Sequence, residues 1–156
     1  MNIIFTRPLI DTEDLMTNFF SSNYKVIHLP TLSITSANME PINAKEFDGL
    51  IFTSANAVRF LQLKNDEKNI KCFCVGNITE RSLRLKGFTN TVAASGTVNA
   101  LKNIILNSEK KIKNLAYLCG DVVSYDLDKD LKLSGFKVKK IINYTSSKIT
   151  DLNTES

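Results

Sequence analysis

The residues best suited to chemistry in this 156-residue chain lie where short apolar runs end. The run from Gly49 to Thr53 is broken by two hydroxyls, Thr53 and Ser54, with Ala55 and Asn56 behind them. Similar points are Thr6-Arg7, Gly76-Asn77, Ser95-Gly96-Thr97 and Gly120-Asp121. The set is rich in hydroxyls, amides and small residues. It is poor in groups that move protons: the sequence shows no Ser-His-Asp set, no paired carboxylates and no metal-ligand cluster. It also lacks a phosphate-loop or dinucleotide fingerprint. Asp121 alone is too little for a phosphoacceptor, which needs clustered acids at strand ends. Such residues can hold an anion. The first N–H groups of a helix have no partner inside it and suit a carboxylate or phosphate. A purely structural helix capped by Ser54 fits the same residues.

The elements that must position these residues alternate along the chain. Strands are predicted at 2–6, 24–29, 49–53, 71–75, 91–94, 115–119 and 136–144, with 32–34 also extended. Helices are predicted between them. The first is capped by Asp11 and carries Leu15, Met16, Phe19 and Phe20; the second starts at Ala55 with Val58 and Leu61 inward. A third starts at Asn77, with Glu80 in a capping-box position, and stops at Gly87. Two more are predicted at 98–106 and around Leu127 and Leu131, the last stopping at Gly135. Residues 35–46, polar and containing Pro41, form the best linker or crossover. Strand–helix alternation predicts an α/β fold, a parallel sheet flanked by helices of Rossmann or flavodoxin-like type. In such sheets a ligand binds beyond the C-terminal ends of the strands, where the hydroxyl and glycine turns fall.

Composition narrows the partners. A hydrophobic fraction of 43% is enough for one ordinary domain with a real core. The net charge of +4 is spread along the chain. It suits an anionic small molecule and makes a poor case for nucleic acid, which leaves a denser basic patch. No run is long enough to span a bilayer and the N-terminus starts directly as a strand, so a cytoplasmic protein with no membrane partner is expected. Three cysteines and the single His28 make a weak zinc signal. Buried thiols are the expectation: Cys72 and Cys74 on one face of a strand, with Cys119 near them.

The ordered motifs resemble the uroporphyrinogen-III synthase family. They are Ile4-Phe5-Thr6-Arg7-Pro8, the stretch from Phe47 to Val58, Val75-Gly76-Asn77-Ile78-Thr79 with Leu83 and Gly87, Leu118-Cys119-Gly120, and the strand ending at Tyr144. The resemblance implies dehydration and closure of hydroxymethylbilane to uroporphyrinogen III, with inversion of one pyrrole ring, in tetrapyrrole and heme biosynthesis. It implies no metal or organic cofactor. Two α/β domains would flank a cleft whose helix N-termini and N–H donors hold the substrate's carboxylates. Catalysis would rest mainly on folding the substrate into a reactive shape. Tyr144 matches the tyrosine that assists departure of the hydroxyl; a strand-end aromatic packed on a linker is the alternative. Substrate contacts are expected from Thr6, Arg7, Thr53, Ser54, Ala55, Asn56, Gly76, Thr79, Ser95, Gly96 and Gly120.

Family members are longer. Residues 1–34 match the opening of the first domain, 35–143 the whole second domain, and 144–156 the return linker, expected to be poorly ordered. The missing part would complete the first domain and one wall of the cleft. Self-association or a second polypeptide would then supply it, the open sheet edge favouring association. The alternatives are a non-catalytic remnant or anion-binding module that needs a partner chain, and an unrelated flavodoxin-like binder.

Overall fold

The computed structural model describes residues 2–5, 18, 22, 25–28, 32–37 and 39–148. Among these residues the elements are β1 (Asn2–Phe5), β2 (Lys25–His28), β3 (Leu32–Ser36), β4 (Gly49–Phe52), α1 (Ala55–Arg59), β5 (Lys71–Val75), α2 (Asn77–Leu85), β6 (Thr91–Ala94), α3 (Val98–Leu106), β7 (Asn114–Gly120), α4 (Leu127–Leu133) and β8 (Lys137–Lys148). They divide into two compact units, Met1–Thr35 with Ser146–Ser156, and Ser36–Thr145. In the first, β1 and β2 pair in parallel from Asn2↔Lys25 to Phe5↔His28. Of the helix expected around Leu15 to Phe20, only Asn18, which is helical, falls among the described residues.

In the second unit the alternation of side chains along each strand sorts the core into two layers. Leu50, Phe52, Cys72, Cys74, Ala116 and Leu118 pack with Ala57, Val58 and Leu83 of α1 and α2. Ile51, Phe73, Leu115, Tyr117 and Cys119 pack with Leu101, Ile105, Leu127 and Leu131 of α3 and α4. A strand buried on both faces reads as a continuous apolar run, and β4 is buried at all four positions. Each fully buried Leu, Ile or Phe here contributes roughly 1.5–3 kcal/mol. Cys119 therefore sits on the opposite face from Cys72 and Cys74, contrary to the expectation that it lies near them, because the strands have period two. All three thiols are free and buried.

The six-stranded sheet has the order β3-β8-β7-β4-β5-β6, and the ladders β4–β5, β4–β7, β5–β6 and β7–β8 are parallel. From β4 the chain winds outward through β5 to β6. It then crosses by α3 to β7, on the other side of β4. The order reverses between β4 and β7, and the crevice beyond the carboxyl ends of two such strands is where open α/β sheets bind ligands.

Three local departures have physical causes. α1 is only five residues long, and the Lys86 ammonium donates to the carbonyls of Arg59 (3.1 Å) and Leu61 (3.4 Å) at its end. The capping box predicted for α2 does not form. Gly76, at φ +81°, is its N-cap and has no side chain to offer, while Glu80 binds Arg84 (2.8 Å) and Thr91 (3.0 Å) instead. Finally, β8 runs on past Tyr144 to Lys148, with a register shift opposite Cys119 and Gly120: Cys119 faces Ile142, but Gly120 faces Tyr144. Asn143 is the extra residue of that bulge.

Candidate functional site

A groove of about 210 Å³ opens at the reversal point. Thr53 and Ser54 follow β4 and form one side; Tyr117, Cys119 and Gly120 come from β7 and Tyr144 from β8. Val98 and the loop Val122 to Tyr125 close it. That loop is anchored by Tyr125, whose hydroxyl donates to Asp130, and Lys102 reaches the same carboxylate at 3.2 Å. These two hydrogen bonds, the tyrosine's first, hold the Asp130 carboxyl below its usual range. Among the described residues no Asp, Glu, Lys, Arg or His lines the groove, and three of the chain's four tyrosines do.

Ser54 is extended (φ −145°, ψ 152°), as an N-cap requires, and its Oγ accepts from the Ala57 N–H at 3.4 Å. The same Oγ is 3.0 Å from the Tyr144 hydroxyl. Tyr144 is fixed from below by Gly120. A Cβ built on Gly120 would lie 2.6 Å from Tyr144 Cε2 and 2.7 Å from Cζ, so the ring occupies the space that any other residue would fill. The backbone closes the same joint: Asp121 N–H donates to the Tyr144 carbonyl at 3.2 Å. Phe60 flanks the ring at 6.3 Å between centroids. The bulge residue Asn143 is fully buried and donates from Nδ2 to the Ala57 carbonyl at 2.7 Å, tying β8 to α1 one residue before the tyrosine.

A second hydroxyl pair lies beside the first. Thr53 Oγ1 and the Tyr117 hydroxyl are 3.2 Å apart. Burial pushes the Tyr117 phenol above the ordinary tyrosine value, so it stays a donor throughout the neutral range. Burial likewise pushes the Cys119 thiol up to about 11, which keeps it protonated and unreactive.

The groove thus gathers Thr53, Ser54, Gly120 and Tyr144 from the residues singled out in the sequence. Ala55 and Asn56 stand in the first turn of α1, where Asn56 Oδ1 accepts from Arg59. Gly76, Ser95 and Gly96 follow β5 and β6 at the same edge of the sheet but do not line the groove, and Thr79 is buried within α2. Thr6 and Arg7 lie outside the described residues. Tyr117 is a site residue that sequence reasoning misses, because it sits inside an apolar run. The signal that could have found it is a phenol on the same strand face as Cys119, three residues before the Gly120 turn. Among the described residues no group of three His, Cys, Asp or Glu side chains is placed to hold a metal ion.

A family model described as uroporphyrinogen-III synthase HemD matches residues 13–155. No curated protein matches the chain. Among solved structures the chain is similar to the uroporphyrinogen-III synthetase of Helicobacter pylori 26695, at 25% identity and TM-score 0.59, covering 84% of this chain and 59% of that one. It is also similar in fold to a mutant uroporphyrinogen III synthase of the extremely thermophilic bacterium Thermus thermophilus, at 15% identity and TM-score 0.60, covering 96% of this chain and 64% of that one. The chain therefore spans about three fifths of the length of the solved structures it matches.

Proposed function

The chain belongs to the uroporphyrinogen-III synthase family, and from that premise we propose that its groove acts on hydroxymethylbilane, closing it with loss of water to uroporphyrinogen III. One observation carries the reading: Ser54 Oγ lies 3.0 Å from the Tyr144 hydroxyl, on a ring seated against Gly120 at the point where the strand order reverses. If Ser54 donates to the phenol oxygen, the phenol's own proton is free to turn into the groove. That proton goes to the departing hydroxyl of the substrate, which leaves as water, and Ser54 steadies the phenolate left behind. The rest of the catalytic effect is positioning of a flexible linear substrate. In this reading Thr53, Ser54, Ala55, Asn56, Gly76, Thr79, Ser95, Gly96 and Gly120 contact the substrate, all of them within the matched residues 13–155, and Thr6 and Arg7, which precede that match, contact it too. In this reading residues 1–34 open the first domain, 35–143 form the second and 144–156 lead back to the first. The free, buried thiols support a cytoplasmic setting. Among the described residues no helix is long and apolar enough to cross a membrane.

The absence, among the described residues, of any carboxylate, imidazole or ammonium from the groove lining favours a second reading, an anion-binding module that holds the ligand without turning it over. Conversion of hydroxymethylbilane by the purified chain separates the two. Accelerated formation of the inverted isomer supports the enzyme. A product mixture identical to spontaneous closure, which gives the uninverted isomer, removes the claim of activity for this chain.

A further inference from the structure

Asn143 of β8 is wholly enclosed, and its Oδ1 has no hydrogen-bond partner among the described residues. Asparagine is a poor strand former. An aliphatic side chain would fill the same space without leaving an acceptor unpaired. The amide's Nδ2 makes one contact, with the Ala57 carbonyl at 2.7 Å. That carbonyl belongs to the five-residue α1. The N–H that would serve it in a longer helix, that of Leu61, donates to Val58 at 3.2 Å instead.

This contact closes a ring of four residues around the phenol. Asn143 Nδ2 donates to the carbonyl of Ala57, and the N–H of Ala57 donates to Ser54 Oγ at 3.4 Å. Ser54 Oγ is 3.0 Å from the Tyr144 hydroxyl, and Tyr144 follows Asn143 in the chain. The bulge makes the ring possible. Consecutive residues of a regular strand point to opposite faces. Here Tyr144 packs, like Ile141, against the layer that holds Ala57 and Val58, while Asn143 bonds to Ala57 itself. Both neighbours are thus turned toward α1. The backbone of Asn143 is held as well, its carbonyl accepting from the Ala37 N–H at 3.1 Å.

We infer that Asn143 is a positioning residue: its amide, anchored on the Ala57 carbonyl, sets the Tyr144 hydroxyl at hydrogen-bond distance from Ser54. The inference rests on the reading proposed above, in which Ser54 donates to the phenol oxygen as the phenol proton goes to the departing hydroxyl. Asn143 does not line the groove, so it acts through these two residues. It holds together α1, whose N-cap is the serine, and β8, which carries the tyrosine. Without the amide the Ala57 carbonyl is buried with no donor, and relaxing that cost moves α1 or β8 and parts the two hydroxyls.

The test is a double-mutant cycle of Asn143→Leu and Tyr144→Phe in the full chain, read as the rate at which hydroxymethylbilane gives the inverted isomer. Leucine is close in size to asparagine and removes the amide. Thermal melts check folding, and Asn143→Ala, which leaves space instead of a misplaced methyl, runs through the same cycle should the leucine variant not fold. With Tyr144 present, loss of the amide lowers kcat about tenfold and leaves KM within about twofold. In the Tyr144→Phe background it changes the rate by less than about twofold, because the hydroxyl that it aligns is gone. An equal loss in both backgrounds makes Asn143 a support of the fold alone and overturns the inference. A wild-type kcat, or a loss confined to KM, overturns it too; all three leave the enzyme reading intact. Tyr144→Phe at the wild-type rate, or a wild-type chain that yields only the spontaneous isomer, overturns the reading and the inference together.

Discussion

The two edges of the central sheet carry depressions of different kinds. The one at the amino ends of the strands is the larger, about 300 Å³, and is lined by charged residues including Lys45, Asp48, Glu67, Glu109 and Lys111. Those charges are already engaged. Asp48 Oδ2 accepts from the N–H groups of Lys113 (3.0 Å) and Asn114 (2.8 Å), Lys111 pairs with Glu109 at 3.0 Å, and Lys45 lies 3.7 Å from Glu67. The depression at the carboxyl ends is smaller and uncharged, yet its hydroxyl pairs keep a proton and lone pairs in reserve. The candidate site is therefore marked neither by size nor by charge. Unused hydrogen-bonding capacity at the reversal of strand order marks it.

This contrast can be broken by substitutions at either edge. The largest effect is expected for Tyr144→Phe: conversion of hydroxymethylbilane falls about 100-fold while the melting temperature holds, since only the proton donor is lost. An unchanged rate would remove the tyrosine from the chemistry. Gly120→Ala comes next. A methyl 2.6 Å from the tyrosine ring forces the ring to move, so denaturant titration should show a loss of about 1–3 kcal/mol and the rate should fall about tenfold or more. A Gly120→Ala chain with wild-type rate and stability would show that the ring's seat is not a constraint.

At the other edge, Asp48→Ala should cost about 1 kcal/mol in stability by removing an acceptor for two backbone donors, and leave turnover unchanged. Slower catalysis there would make the amino-end depression part of the function. The smallest effect is expected for Lys45→Ala. Its partner Glu67 is 3.7 Å away and the lysine side chain is 68% exposed, so chemical denaturation should detect less than about 0.5 kcal/mol.

The sheet was more legible in the sequence than the groove. β5, β6 and α3 fall where their apolar runs and punctuating glycines or hydroxyls place them. A strand of a doubly covered sheet needs only to be apolar, short and bounded, and that information is local. The site depends on pairs distant along the chain. Nothing near Gly120 announces that the ring of Tyr144 will occupy its missing Cβ. Nothing near Tyr117 says that its phenol meets Thr53. The failure of the capping box at Glu80 has the same origin: Arg84 and Thr91, the latter from the neighbouring strand, take a carboxylate that local pattern assigned to the helix end. Tyr144 itself came from the family resemblance, and strand periodicity alone would have left it an edge aromatic.

The bulge in β8 makes the groove sensitive to counting. Asn143 is the one residue by which β8 outruns β7, and it sets Tyr144 rather than its predecessor opposite Gly120. Conservative replacements along 137–142 preserve that count whatever they do to packing. A deletion of a single codon there would shift every later residue by one position, and strand pairing has a period of two. Thr145 would come to the glycine, Tyr144 would take the bulge position, and the phenol would turn away from Ser54. Length in this strand is thus under tighter constraint than composition, and insertions or deletions there should be rarer than substitutions among chains that keep the Ser54–Tyr144 contact.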